Sequence, residues 1–506
     1  MASPPDDAEH FIEYSDVQIA VEPASPDYGI DPEAEPRLRR KLDWRIIPIV
    51  TICYLFLFLD TPSRTLNNRS AGLVKDLGLG TYDFNIGTTL FYIAYIACEV
   101  PFALLIKRVG FQLVPLSIIA FGVVSTASAF IHNKTGFYVT RIFLGISESS
   151  LAIACLPSCK LNYRGDSYLL TRYYRRHEVT RRIGIFMPLS AGYAGGFGGL
   201  VSAGLLSVRN IGSRQSWQNV FLVEGILTIA CGIVMLVIFP ADPERTRMLT
   251  AEERRLAIAR LHADQPLITV TKERTDWPLV KRGILSPVTL VCGRLFIVGA
   301  LSAQGLGIFL PSILEVNYPD ASTVRIQLLV IPIYIAAMAV ATACAVGCTK
   351  YRVHWPFLLF SGALTLTGYS IWVAAPESAH RARYAACFLN LAGGFASGPI
   401  AVGWAASNAS PDTLRAMAGA VVTGLGNLGG VAGVWAYVAT DAATGYHRGN
   451  SFNVAMSASL CACSVGLALY QRFENAKRKR GERDYRLGRG GVDKLGNLHP
   501  YFRYIY

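Results

Sequence analysis

The sequence predicts an all-α membrane protein with twelve transmembrane helices in two pseudo-symmetric six-helix halves. Three observations carry this reading. The 506 residues are 52% hydrophobic and only 16% charged, where soluble domains carry about 25% charged residues, and the mean hydropathy is +0.34. The apolar residues fall into runs of about 20, the length at which a helix crosses roughly 30 Å of hydrocarbon. Six such runs, a polar bridge and six more form one repeated pattern, as in two similar bundles related by an axis along the membrane normal.

Taken in order, residues 1–40 are acidic and proline-rich, and a disordered cytosolic tail is expected there. No basic segment leads into an apolar core, so no cleaved signal peptide is expected. Arg37, Arg39, Arg40, Lys41 and Arg45 precede the first apolar run, which places the N-terminus in the cytosol. The first bundle, residues 41–240, has spans near 45–66, 84–106, 111–131, 137–156, 183–206 and 220–239. Residues 241–286 read as a cytosolic linker. The second bundle, residues 287–472, has spans near 288–314, 326–347, 355–375, 382–405, 414–439 and 452–471. Residues 473–506 read as a basic cytosolic tail. Arginine and lysine collect in the inner loops, as at Lys107, Arg108, Arg175, Arg176 and Arg352, and are sparser outside. Asn68 and Asn133 head glycosylation tripeptides in predicted outer loops; the one at Asn408 falls in an inner loop and should be unused.

Ionisable groups inside spans are the functional candidates, because a charge facing lipid is expensive. The run 137–156 holds Arg141 and Glu148, seven residues and so about two turns apart, on one helix side. That side should face a protein interior or a wet cavity. A guanidinium suits a carboxylate by forked hydrogen bonding, so Arg141 either meets an anionic substrate or pairs with Glu148. A shielded Glu148 could take up and release protons near neutral pH. Asp60 and Arg64 form an i, i+4 pair at a helix mouth. Glu99 reads as an anchor for the Lys107/Arg108 loop, and Glu224 as the partner of a loop arginine. Tyr193, Gln304, Asn390 and Asn427 are uncharged donors on other spans, open to either ligand contact or helix–helix bonding.

Gly192, Gly195, Gly196 and Gly199 form one bare helical stripe, suited to close helix approach or sliding. Gly424–Gly430 contains a literal GxGxxG, but no strand precedes it, so dinucleotide binding is not expected. The Cys155/Cys159 and Cys344/Cys348 spacings give no metal site or disulfide framework. No zinc-protease, nucleophile-elbow or phosphate-loop motif occurs, so neither enzyme activity nor a cofactor is expected. The +13 charge reflects loop topology rather than nucleic-acid binding.

The motifs then carry a resemblance. KLDWRIIPIV with LFLD at Lys41–Asp60, AGLVKDLGL at Ala71–Leu79 and FYIAYIACEVPFALLIKRVG at Phe91–Gly110 open it. RIFLGISES at Arg141–Ser149, RYYRRHEVTRRIGIF at Arg172–Phe186, FLVEGILT at Phe221–Thr228 and FPADPERTRMLTAEER at Phe239–Arg254 continue it. IQLLVIPIY at Ile326–Tyr334, NLGG at Asn427–Gly430, GERDYRL at Gly481–Leu487 and HPYFRY at His499–Tyr504 complete it. Together these resemble the major facilitator superfamily, and within it the fungal anion:cation symporter, allantoate permease-like branch. The resemblance implies secondary active transport of a small organic anion with proton symport. It also implies a plasma-membrane location, with lipid as the only other partner. Two departures stand out: Pro62 lies in a lengthened segment after Asp60, and residues 157–168 lengthen the loop after the fourth span, as an insertion or a gene-prediction artefact. Alternatives are export of a fungal secondary metabolite and, from another class, a non-transporting receptor or scaffold.

Overall fold

The computed structural model describes residues 33–59, 73–109, 112–155, 173–174, 182, 189–190, 192–198, 201, 204, 215–239, 246, 248–264, 277–376, 378–410, 412–489 and 495–506. Every regular element among them is a helix. In the first half these are α1 (Ala34–Leu59), α2 (Asp83–Val109), α3 (Leu113–Ser128), α4 (Lys134–Cys155), α5 (192–198) and α6 (Ser216–Ile238). Two helices follow in the bridge, α7 (Ala251–Asp264) and α8 (Trp277–Ile284). The second half holds α9 (Pro287–Asn317), α10 (Thr323–Tyr351), α11 (Trp355–Ala374), α12 (His380–Ser407), α13 (Asp412–Ala436) and α14 (His447–Lys479). Seven of the described helices are long and apolar enough to cross a membrane.

Helix ends follow local chemistry. Gln215 and Gln218 cap α6 reciprocally. The Ser322 hydroxyl accepts the Arg325 N–H at the start of α10, and Arg352 ends that helix at φ 53°. Inside each half, glycines let backbones touch. A β-carbon at Gly225 of α6 would overlap Thr126 of α3, and one at Gly145 of α4 would overlap the Phe91 carbonyl of α2. In the second half α9 packs on α12 and α13, and α11 on α12 and α14.

Among the described residues the halves meet at two seams. At one, α2 lies along α13: Asn85 Nδ2 donates to the Val434 carbonyl at 2.8 Å, Trp435 Nε1 donates to Thr89 Oγ1 at 3.0 Å, and Tyr82 stacks on Trp435. At the other, the glycine stripe of α5 lies against α10: a β-carbon at Gly192 would overlap Met338, and one at Gly195 would overlap Tyr334. Gly199 lies outside the described residues.

Several boundaries differ from the sequence reading. Residues 34–40, assigned there to a disordered tail, are the first turns of α1. The reason is the i, i+4, i+8 stripe Leu38, Leu42 and Ile46, which is buried with Leu249 and Ala257 at the start of the bridge. Two ion pairs fix this junction, Lys41–Glu253 at 2.6 Å and Arg260–Glu35 at 3.0 Å, and a third, Arg182–Asp43 at 2.7 Å, ties α1 to the segment ahead of α5. Asp60, Arg64, Asn68 and the 157–168 stretch lie outside the described residues. So do the side chains of Lys107 and Arg108, which end α2.

Residues 495–506 form a strap across the end of the second half where α12 ends and α13 begins. Asn408 grips Ile505 both ways at 2.8 Å, and Asn475 grips Tyr504 both ways at 2.8 Å. Trp404 Nε1 donates to the Ile505 carbonyl at 2.9 Å. Arg478 donates to the carbonyls of Phe502 and Asn497, and Arg282 of α8 to those of Leu495. Asn408 is therefore buried and engaged, while Asn133 is exposed, its side-chain oxygen accepting the Gly136 N–H at 2.7 Å. Removing residues 495–506 strands these buried donors, at about 1–3 kcal/mol each. We expect the truncated protein to melt several degrees lower in a detergent thermal-shift assay.

The strap also carries a pH dependence. Burial, then the Arg478 guanidinium, hold the His499 imidazole below its ordinary 6.5. Its Nδ1 accepts the Tyr501 N–H at 3.3 Å, which requires the unprotonated nitrogen. The unfolded ring binds a proton more readily than the folded one. Strap docking is therefore firmest above pH 6.5 and weakens as pH falls below it. The protection factors of residues 497–504, taken relative to intrinsic exchange at each pH, should fall on mild acidification in the wild type, and not in His499→Gln.

Candidate functional site

Arg141 and Glu148 lie on α4 and are buried, at 6% and 7% exposure. Spacing left open a salt bridge between them. The structure has none: Arg141 sits over the ring of Phe137 at 4.9 Å and near that of Phe221, from α6, at 6.0 Å. Two turns separate the residues by about 10 Å along the axis, too far for contact. Nε of Arg141 is buried without a hydrogen-bond partner. Aromatic faces stabilise a guanidinium by about 1–2 kcal/mol, but they accept no N–H in the plane of the fork. Arg141 is thus a buried cation with donor capacity to spare.

Glu148 looks toward the seam. Its electrostatic neighbour is Tyr92 of α2. Tyr92 reaches α13: a β-carbon at Gly430 would overlap both the Tyr92 ring and Gln304 Oε1. Gln304 therefore meets Tyr92 across a bare glycine. One turn further in, Asn427 stands beside Glu99, and Gly424 faces the same carboxylate. Glu99 was read as an anchor for the loop of Lys107 and Arg108, whose side chains lie outside the described residues; its carboxylate stands at the contact between halves, because its face of α2 is the one that packs on α13.

Gln304 owes its position to a local irregularity. Residues Leu301–Gly305 of α9 form a π-helical turn, a wide turn often found at functional sites. Gly305 there touches Gly433 of α13 backbone to backbone. Tyr334 of α10 closes the other side, its hydroxyl donating to the Gly307 carbonyl at 3.3 Å and its ring meeting Phe395 edge-on. Two buried tyrosines, one from each half, thus flank the π turn. The sequence reading passed over both. Their signal was a hydroxyl in the middle of an apolar run, the same signal that marked Tyr193.

The remaining candidates lie elsewhere. Tyr193 is 47% exposed and stacks on Phe197, on a face of α5 that does not meet α10. Asn390 is fully buried between α12 and α11, facing Gly368, with neither amide atom bonded. Glu224 is buried in α6. Cys344 and Cys348 are buried free thiols. Among the described residues no group of acidic, histidine or cysteine side chains could hold a metal ion.

Two helical halves that meet along two seams among the described residues, with buried polar groups at the contact, have the architecture of a two-bundle membrane transporter. Comparison with known proteins agrees. The family model of the major facilitator superfamily matches residues 50–434. An uncharacterized transporter of Schizosaccharomyces pombe is 31% identical over 411 residues, covering 80% of this chain and 76% of that one. The MFS-type transporter cnsO of Penicillium expansum is 30% identical over 494 residues, covering 93% and 90%. Among solved structures, the proton:xylose symporter XylE bound to a halogenated sugar superposes with a TM-score of 0.61 at 14% identity, covering 82% and 94%. A bacterial homolog of the human lysosomal transporter Spinster, inward-facing and occupied, gives 0.59 at 13% identity, covering 84% and 96%. The chain belongs to the major facilitator superfamily.

Proposed function

We propose that this transporter carries a small organic anion, coupled to protons, across the plasma membrane with both its termini in the cytosol. Arg141 is the observation that carries the reading. A buried guanidinium with an unbonded N–H is unfavourable in the empty protein by several kcal/mol. A substrate carboxylate would complete it in fork geometry. Phe137 and Phe221 give the apolar part of such a substrate a surface to lie on. The motifs shared with the fungal anion:cation symporters support the same class. Glu148 would carry the proton. It shares a helix with Arg141 and neighbours Tyr92 at the seam, so its charge is felt where the halves move against each other.

The test is uptake of a panel of labelled carboxylates into cells expressing the protein, at neutral and acidic external pH. Acidification should raise uptake several-fold in the wild type, because inward proton flow drives the anion. Glu148→Gln should transport at a rate that no longer responds to pH. A wild-type rate indifferent to pH, or an uncharged substrate preferred over every carboxylate, would overturn the reading.

A further inference from the structure

We propose that the first turns of α1 form a binding site for a phosphoinositide-type lipid headgroup of the cytosolic leaflet. The proposal rests on the cytosolic placement of the N-terminus given above. Pro36, Arg37, Arg40, Lys41 and Trp44 line a groove of about 430 Å³ on the outer side of α1. The spacing is one helical stripe, opposite the buried Leu38, Leu42 and Ile46.

The charges near this groove do not cancel. Glu35 is taken by Arg260, Asp43 by Arg182, Lys41 is itself held by Glu253, and Glu33, one turn before Arg37, is engaged as well. That leaves Arg37 and Arg40 exposed, with no hydrogen bond or ion pair to any described residue. Two guanidiniums on one groove, with the nearby carboxylates occupied, fit a phosphorylated anion.

Depth identifies the source of the anion. No charged residue occurs between Arg45 and Asp60, so hydrocarbon begins at about Ile46. Trp44 is 77% exposed and stands where interfacial tryptophans anchor helices among headgroups. From the hydrocarbon edge Arg40 and Arg37 lie about 9 and 14 Å further out along the helix. The headgroup layer is about 5–8 Å thick on each side. Both therefore stand at its outer edge or beyond it, where a headgroup carrying further phosphates reaches and phosphatidylserine does not.

The experiment uses the full chain in nanodiscs of phosphatidylcholine doped with phosphatidylserine or with a phosphatidylinositol bisphosphate, read by native mass spectrometry of retained lipid. The wild type should retain the phosphoinositide over both other lipids. Arg37→Gln with Arg40→Gln should lower that retention by about tenfold or more, with an unchanged melting temperature in phosphatidylcholine alone. Trp44→Ala should weaken it less. Equal retention of all three lipids, or retention unchanged in the double variant, overturns the proposal. Binding of soluble inositol trisphosphate as tight as that of the lipid also overturns it, in favour of a metabolite site. The competing occupant is the chain's own segment 1–32, with eight acidic residues and no Lys or Arg. Charge-dependent crosslinks from that segment to α1, with lipid retention unaffected by the double variant, would assign the groove to it. None of these readouts requires transport. A cysteine at position 37, labelled in cells with an impermeant reagent, separately tests the cytosolic placement.

Discussion

Arg141→Ala should cut uptake of an anionic substrate by about 100-fold or more in the ratio of maximal rate to KM, while the protein still folds and reaches the membrane. The magnitude follows from losing a two-pronged, charge-assisted contact, with each bond worth about 1.5–3 kcal/mol. Arg141→Lys keeps the charge but not the fork, so it should recover part of the loss. Arg141→Met separates transport from folding. It fills the space between Phe137 and Phe221 without burying an unbonded N–H, so its melting temperature should equal or exceed that of the wild type. A collapse of Arg141→Met in the thermal-shift assay would show that the arginine holds the bundle together, and the substrate role would fall with it.

Gly433→Leu should have the largest effect on assembly. Gly433 of α13 and Gly305 of α9 touch through their backbones, and a β-carbon at Gly433 would lie 2.9 Å from the Gly305 Cα and 3.0 Å from the Leu301 carbonyl. No rotamer change relieves a clash with backbone. The helices must part, and with them the π turn that aims Gln304 at the seam. Overpacking of this kind costs about 3 kcal/mol, and the lost Gln304 contact adds to it. We expect little monodisperse protein on fluorescence-detected size exclusion. Gly466→Leu on α14 is the control: a β-carbon there meets nothing within 4 Å, so it should behave as wild type. Equal behaviour of the two variants would refute the backbone contact.

How much of the site was legible can be argued residue by residue. The shared side of Arg141 and Glu148 followed from a seven-residue spacing, which is a property of one helix. That they do not pair follows from the same spacing, since two turns exceed the reach of their side chains. Tyr193 and Gln304 looked alike in sequence, each a polar group in an apolar run. One ended exposed beside Phe197, and the other half-buried with its Oε1 against Gly430. Membrane spans are apolar all round, so periodicity does not say which face meets a neighbour, and the difference was invisible. That Glu99 meets Asn427 was invisible for the same reason. The strap at 495–506 was read as a basic tail, because its anchors Asn408, Asn475 and Arg282 come from segments remote in sequence.

By itself, then, the sequence determined that the chain is helical, membrane-bound and built as two repeats. Those properties depend on run length and polarity, which each segment carries alone in lipid, where every backbone group must be satisfied within its own helix. Only the tertiary structure decided which polar groups share a site. That choice is made where glycines let two helices approach, as Gly430 does for Tyr92 and Gln304, and such an approach depends on two surfaces at once.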